Sequence, residues 1–219
     1  MTTFAFAIFA SAVTAVCPAV PALATGGAPL AVAVIGEELE ALYRGGLTFD
    51  EFYRDADARR ALWVQNYEGG EIAAEMVARV EALGGAWRIL AVAEAACSDS
   101  VNTIPFLALL AERAANLELR IVSSDEGREV METHRTPDDR AATPTILVLN
   151  DRYDDVGCWV ERPADLQTWA MDARPRLGGR EFLAQKMAWY AEDAGASTVR
   201  EIVDVLEAAS AGTPVCGSG

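Results

Sequence analysis

The sequence predicts an α/β domain built on a mixed parallel and antiparallel sheet, with an N-terminal helical extension and C-terminal helices. Three observations predict it. A strand-length apolar run, Trp87 to Ala93, is followed by helical periodicity at Val101, Ile104, Leu107, Leu110 and Ala111, and then by an alternating strand from Leu117 to Val122. A second pair of strand patterns, Thr145 to Leu149 and Val156 to Val160, is separated by the turn residues Asn150 and Asp151. Helical patterns flank both pairs. A strand, helix, strand unit makes a parallel crossover and a tight strand pair makes an antiparallel hairpin, so the sheet is mixed and helices cover both faces.

Taken in order, Glu38, Leu39, Leu42 and Tyr43 form an amphipathic turn set, and Thr48 followed by Asp50 and Glu51 reads as a helix start. Ile72, Met76, Val77 and Val80 recur at helical spacing, and Gly84-Gly85 ends the segment. After the second strand, Asp125 to His134 reads as a helix opened by acidic residues, which suit the positive end of the helix dipole. The polar turn Thr136 to Arg140 then leads to Thr143-Pro144 and the third strand. Two more helices are expected at Arg180 to Asp193 and Ser197 to Ala209, and a frayed tail from Gly212 to Gly219. The expected organisation is an apolar extension or leader at 1–35, a domain at 36–210 and a flexible tail at 211–219.

A chain of 219 residues buries an adequate core without staples. Its formal charge of -15 repels nucleic acid and anionic lipid, which excludes partners that depend on clustered cations. No charged side chain occurs before Glu37, and Phe4 to Val16 is apolar. That stretch and Ala22-Leu23-Ala24 resemble an exported protein's leader cleaved after Ala24, but the basic n-region is missing, since the first arginine is Arg44. Pro18 and Pro21 argue against a stable membrane span. A cytoplasmic protein is expected, with export as the alternative if residues 1–24 are a leader.

Cys17, Cys97, Cys158 and Cys216 are scattered and no C-x-x-C pair exists, so neither a metal site nor a local dithiol is written, and no cofactor is expected. His134, the one histidine, falls near a helix end and reads as a surface residue favoured by the dipole rather than as a catalytic base. Cys158, beside Trp159 in a strand, reads as core; Cys216, on the tail, is a resolving thiol only if it can reach Cys97. Trp159, Trp189 and Tyr190 read as core aromatics rather than as a ligand-stacking set. Arg162, before Pro163, reads as a tie from the hairpin end to a carboxylate.

A cysteine at the first strand-to-helix turn and a proline opening the third strand resemble the thioredoxin superfamily. Five motifs carry a closer resemblance to a bacterial branch of thioredoxin family proteins: Cys97-Ser98-Asp99-Ser100, Asn102-Thr103-Ile104-Pro105, Thr143-Pro144, Trp159-Val160-Glu161-Arg162-Pro163 and Trp189-Tyr190-Ala191-Glu192-Asp193. The resemblance spans roughly residues 41 to 209 and implies a thioredoxin-like fold with a cis Pro144 facing Cys97. The chain departs from thioredoxins at Ala96, where they carry an aromatic, and at Ala91, where they carry a buried aspartate.

What the resemblance implies is a monothiol thiol-disulfide oxidoreductase. Cys97 is its nucleophile, favoured as thiolate at a helix start but only moderately, since Asp99 and the overall negative charge push the other way, and tuned by a hydrogen bond from Ser100. Thr143, Pro144 and Asp99 form the substrate-binding set, with Thr143 offering backbone to an extended peptide. Without sulfur at position 100, a mixed disulfide on Cys97 needs a second thiol for release. The expected partners are protein thiols or a low-molecular-weight thiol such as glutathione. The alternative is a redox-inactive thioredoxin-fold module that binds or scaffolds a partner.

Overall fold

In the computed structural model, which describes residues 28–217 with side chains from Gly36 on, the apolar run at Trp87–Val92 forms the central strand β1. The leader read at residues 1–24, with Cys17, lies outside the described residues. Strand β2 (Leu117–Val122) runs parallel to β1 and is reached through α5 (Ile104–Arg113). Strand β3 (Thr145–Leu149) pairs antiparallel with the other side of β1, and β4 (Asp155–Val160) antiparallel with β3. The mixed sheet expected from the pattern is therefore present, in the order β2-β1-β3-β4-β5, with Cys216–Gly217 as the edge strand β5.

Period-two alternation sets the layers. Ile89 and Ala91 of β1, Ile146 and Val148 of β3 and Trp159 of β4 face one cluster, which α2 (Phe49–Asp55), α3 (Arg60–Glu68), α4 (Ala74–Ala82), α5 and α9 (Ala196–Ser210) complete. Leu90, Val92, Leu147, Leu149, Cys158 and Val160 face the opposite cluster, closed by Tyr43 of α1 (Ala28–Gly45) and by Val130 and Met131 of α6 (Arg128–Thr133). Thr48 caps α2 as its position suggests. Its hydroxyl accepts from Glu51 N at 3.3 Å while the Glu51 carboxylate accepts from Thr48 N at 2.8 Å, so two free donors are satisfied reciprocally.

Three elements differ from expectation. The helix read from Asp125 starts only at Arg128, because Glu126 turns back to accept from Ser123 N at 2.9 Å and closes a separate turn. Gly127 follows that turn against the sheet, where an added Cβ would lie 2.4 Å from Val92 Cγ2. A further helix, α7 (Ala164–Ala173), follows Pro163 and packs beside α8 (Gly179–Asp193), with the Trp169 and Phe182 rings stacked at 5.2 Å.

The third difference is the tail. Cys216–Gly217 forms β5, parallel to β4, and Val215 O accepts from Cys158 N at 3.0 Å. Cys158 and Cys216 are joined in a disulfide with their Cα atoms 4.3 Å apart. The tail is thus attached at the β4 edge rather than frayed there, and Cys216 is not a resolving thiol for Cys97, because its sulfur is already committed. Among the described residues, no helix is long and apolar enough to cross a membrane.

Candidate functional site

Beyond β1 the chain enters a turn that two helices hold from opposite sides. Glu94 anchors its start, its carboxylate accepting from Ser124 N at 2.8 Å and from the Ser124 hydroxyl at 2.5 Å. From α3, Trp63 Nε1 donates to Ala95 O at 3.1 Å and Asn66 Nδ2 to Val101 O at 2.8 Å. Arg59, the residue ahead of α3, donates through Nε to Ala96 O at 2.7 Å. From α8, Lys186 Nζ donates to Ser98 Oγ at 2.8 Å and contacts Asp99 Oδ2 at 2.6 Å, while Tyr190 OH donates to Asp99 Oδ1 at 2.8 Å. Asn102 Nδ2 closes the turn on Ser98 O at 2.7 Å. A 3-10 turn, Ser100–Asn102, then leads into α5, where Pro105 occupies the first turn and has no N–H to leave unpaired.

Cys97 stands partly exposed at the head of this turn. Its Sγ donates to Thr143 O at 3.2 Å, and Ser100 N–H points at the same sulfur across 3.5 Å. The Thr143–Pro144 peptide is cis, and Pro144 O accepts from Glu161 N at 2.8 Å, which fixes the loop to the end of β4. Cys97, Thr143 and Pro144 are therefore brought together.

Two of the expected roles need correcting. Ser100 does address the sulfur, but through its backbone N–H: its hydroxyl is buried and accepts from Glu94 N at 3.4 Å. Asp99, expected in the substrate-binding set, is buried beneath the turn. It is only 5% exposed, and both carboxylate oxygens are taken by Tyr190 and Lys186, with Arg162 Nε 3.4 Å away. A carboxylate so placed is a buried counter-ion.

That counter-ion belongs to a larger charge cluster. Arg162, fully buried, pairs with Glu161 as well as with Asp99, so it ties the hairpin end to carboxylates as its position suggests. Glu161 also receives Arg140 at 2.6 Å, and Arg140 binds Asp138, whose carboxyl is thereby held down at about 2. Glu161 adopts φ 68°, a left-handed conformation that disfavours a side chain by roughly 1 kcal/mol, and the two arginines hold it there. Burial, and then the Asp99 charge, push the Tyr190 phenol well above its ordinary range, so it stays a neutral donor.

Residues 46–174 match the family described as Thioredoxin. The chain belongs to this thioredoxin family. Two solved structures share the fold: a Pseudomonas aeruginosa protein of unknown function (23% identity, TM-score 0.58) and an HIV epitope-scaffold (20% identity, TM-score 0.55). Each comparison covers 77% of this chain and 96% of the other. No curated protein matches significantly.

In this thioredoxin-family protein the sequence reading missed the supporting residues. Lys186 carries a signal in retrospect, being the only lysine and four residues, one helical turn, before Tyr190. Arg59 and Trp63 carry none, because their bonds to Ala96 and Ala95 join segments more than 30 residues apart. His134 is no partner of Cys97. It bonds Asp155 Oδ2 at 2.9 Å, and Asp155 pairs through Leu149 with Arg88, at the opposite end of the sheet. Among the described residues, no group of three or more His, Cys, Asp or Glu side chains is placed to hold a metal ion.

The His134–Asp155 pair makes stability depend on pH. The Asp155 hydrogen bond raises the imidazole's affinity for a proton in the folded state. Its contribution is therefore full below the unfolded value of about 6.5 and is lost as pH rises through the elevated folded value. The pair is partly open to solvent, which limits the effect to about 1 kcal/mol. Urea unfolding of the protein and of His134→Ala at pH 5.5 and 8.5 is expected to show a larger difference between the two proteins at the lower pH; an equal difference at both would refute the assignment.

Proposed function

We propose that this protein exchanges disulfides as a monothiol through Cys97. The observation that carries the reading is the placement of a free, partly exposed sulfur between Ser100 N–H and the Thr143-Pro144 loop. Ser100 N–H is directed at the sulfur, and Thr143 N–H, unbonded among the described residues, is available to an extended substrate beside it.

The Cys97 thiolate attacks one sulfur of a partner disulfide, forming a mixed disulfide and expelling the other sulfur as thiolate. Cys158 and Cys216 are bonded to each other, so no described cysteine is free to resolve that species. An external thiolate, from glutathione or a protein thiol, attacks the partner sulfur, leaves as the new disulfide with it and restores Cys97. The Cys-x-Asp-Ser turn supports the bacterial branch of the family. The Cys158–Cys216 disulfide supports an oxidising compartment, and so the exported alternative.

Incubation with glutathione disulfide is expected to place one glutathione on Cys97, removable by excess reduced glutathione. The adduct should vanish in Cys97→Ser. No adduct on folded protein, or one unchanged by the substitution, would leave the redox-inactive binding module as the better reading.

A further inference from the structure

Lys186 carries an inference that the thiol reading leaves open. It is the one lysine among the chain's 18 lysine and arginine residues, and it lies 4% exposed beneath the Cys97 turn. Its ammonium spans the side chains of the two residues that directly follow the cysteine, Ser98 and Asp99. A compact point charge on a flexible stem can meet two such acceptors in a narrow space, where a planar guanidinium would need parallel acceptors. Burying it is unfavourable unless a carboxylate accompanies it, and Asp99 is that carboxylate.

The cluster lies beside the sulfur, since Asp99, held by Lys186 and Tyr190, directly precedes Ser100, whose N–H points at Cys97 Sγ across 3.5 Å. The other charged groups around the turn are already committed. Arg59 donates its Nε to Ala96 O, Glu94 is turned onto Ser124, Arg162 is held between Asp99 and Glu161, and Arg140 faces Glu161. Lys186 and Asp99 are thus the buried pair of opposite charges at the turn, Arg59 being exposed to solvent.

We infer that Lys186 and Asp99 are positioning residues that together set the reactivity of Cys97. Lys186 fixes Ser98 and Asp99 so that Ser100 N–H faces the sulfur, and its cation balances the Asp99 anion. Taking away the cation makes the cluster one charge more negative, which opposes a thiolate. Taking away the anion makes it one charge more positive, which favours a thiolate. The inference rests on Cys97 being the reacting group, but not on any disulfide partner.

The test is the rate of iodoacetamide alkylation of Cys97 at pH 7 in the full chain, followed on the Cys97 peptide by mass spectrometry. Lys186→Met is expected to slow it by about tenfold and Asp99→Asn to speed it several-fold, the scale of one unit charge acting across a buried site. The double variant should return to within about threefold of the parent. Opposite signs separate charge control from simple loosening of the turn, which would move both single variants the same way. Rates that change together, or not at all, overturn the inference. If Lys186→Met does not fold, Asp99→Asn alone decides, since an unchanged or slower rate contradicts it. Opposite shifts without any glutathione adduct would keep this inference and remove the disulfide-exchange reading; adduct formation with unshifted rates would do the reverse.

Discussion

Trp63→Ala is expected to lower stability by about 3–5 kcal/mol, the range for truncating a large buried aromatic. Trp63 is fully buried on α3, its ring meets Phe52 edge-on at 5.4 Å, and it joins the cluster formed with α5 and the sheet. The substitution removes packing and also leaves Ala95 O without the indole donor that holds it at 3.1 Å. Trp63→Phe separates these effects. It keeps most of the ring volume and is expected to cost about 1–2 kcal/mol, mostly for the lost hydrogen bond. Because Ala95 lies two residues before Cys97, Trp63→Ala should also loosen the site ahead of global unfolding. Hydrogen exchange at residues 94–98 is the readout, with urea unfolding for the total. A Trp63→Ala loss below 1 kcal/mol would mean that α3 does not clamp the turn.

The same residue shows what the sequence could and could not tell. Strands β1 to β4 were legible because a short apolar or alternating run between turn residues leaves few other choices, and the crossover and hairpin followed from their order. Thr48 was legible as a cap because capping is settled within four residues. Cys97 and Pro144 were legible through motif order. Residues whose partners are far away in sequence were not. Lys186 meets Asp99 across 87 positions, and Trp63 meets Ala95 across 32. The burial of Asp99 was not legible for the same reason, because the α8 residues that cover it, Lys186 and Tyr190, lie far along the chain. Helix α7 was missed because Pro163 reads as a break, while its buried positions Leu166, Gln167, Ala170 and Ala173 are mostly small or polar.

Corrected in this way, the site has different roles for its residues. On the proposed reading substrate meets Cys97 and the Thr143-Pro144 backbone, while Asp99 lies buried in a charge cluster that includes the hairpin end. Loop, turn and hairpin therefore share one set of ion pairs. Disturbing Arg140, on the surface side of that set, should affect the loop holding Pro144 before it affects the core.

Replacing Cys158 and Cys216 together by alanine is expected to cost about 4 kcal/mol. The two residues are 58 positions apart, and closing a loop of that length in the unfolded chain accounts for that figure in the chain-entropy model. Little else holds β5. Only Cys216–Gly217 pair with β4, residues 211–216 are exposed, and Thr213 adds bonds from its N–H and its hydroxyl to Ala208 O. Two losses therefore combine: the unfolded chain gains freedom, and the tail can leave the β4 edge while the sheet persists. Cys158 itself is 2% exposed, so alanine there removes only a small apolar contact. Denaturant unfolding of oxidised protein, dithiothreitol-reduced protein and the double variant should place the last two together and well below the first, with protease cleavage after Ser210 appearing only in those two. Coincident unfolding curves for all three would show that the bond adds nothing to the β4 edge, and that β5 is held by its backbone pairing instead.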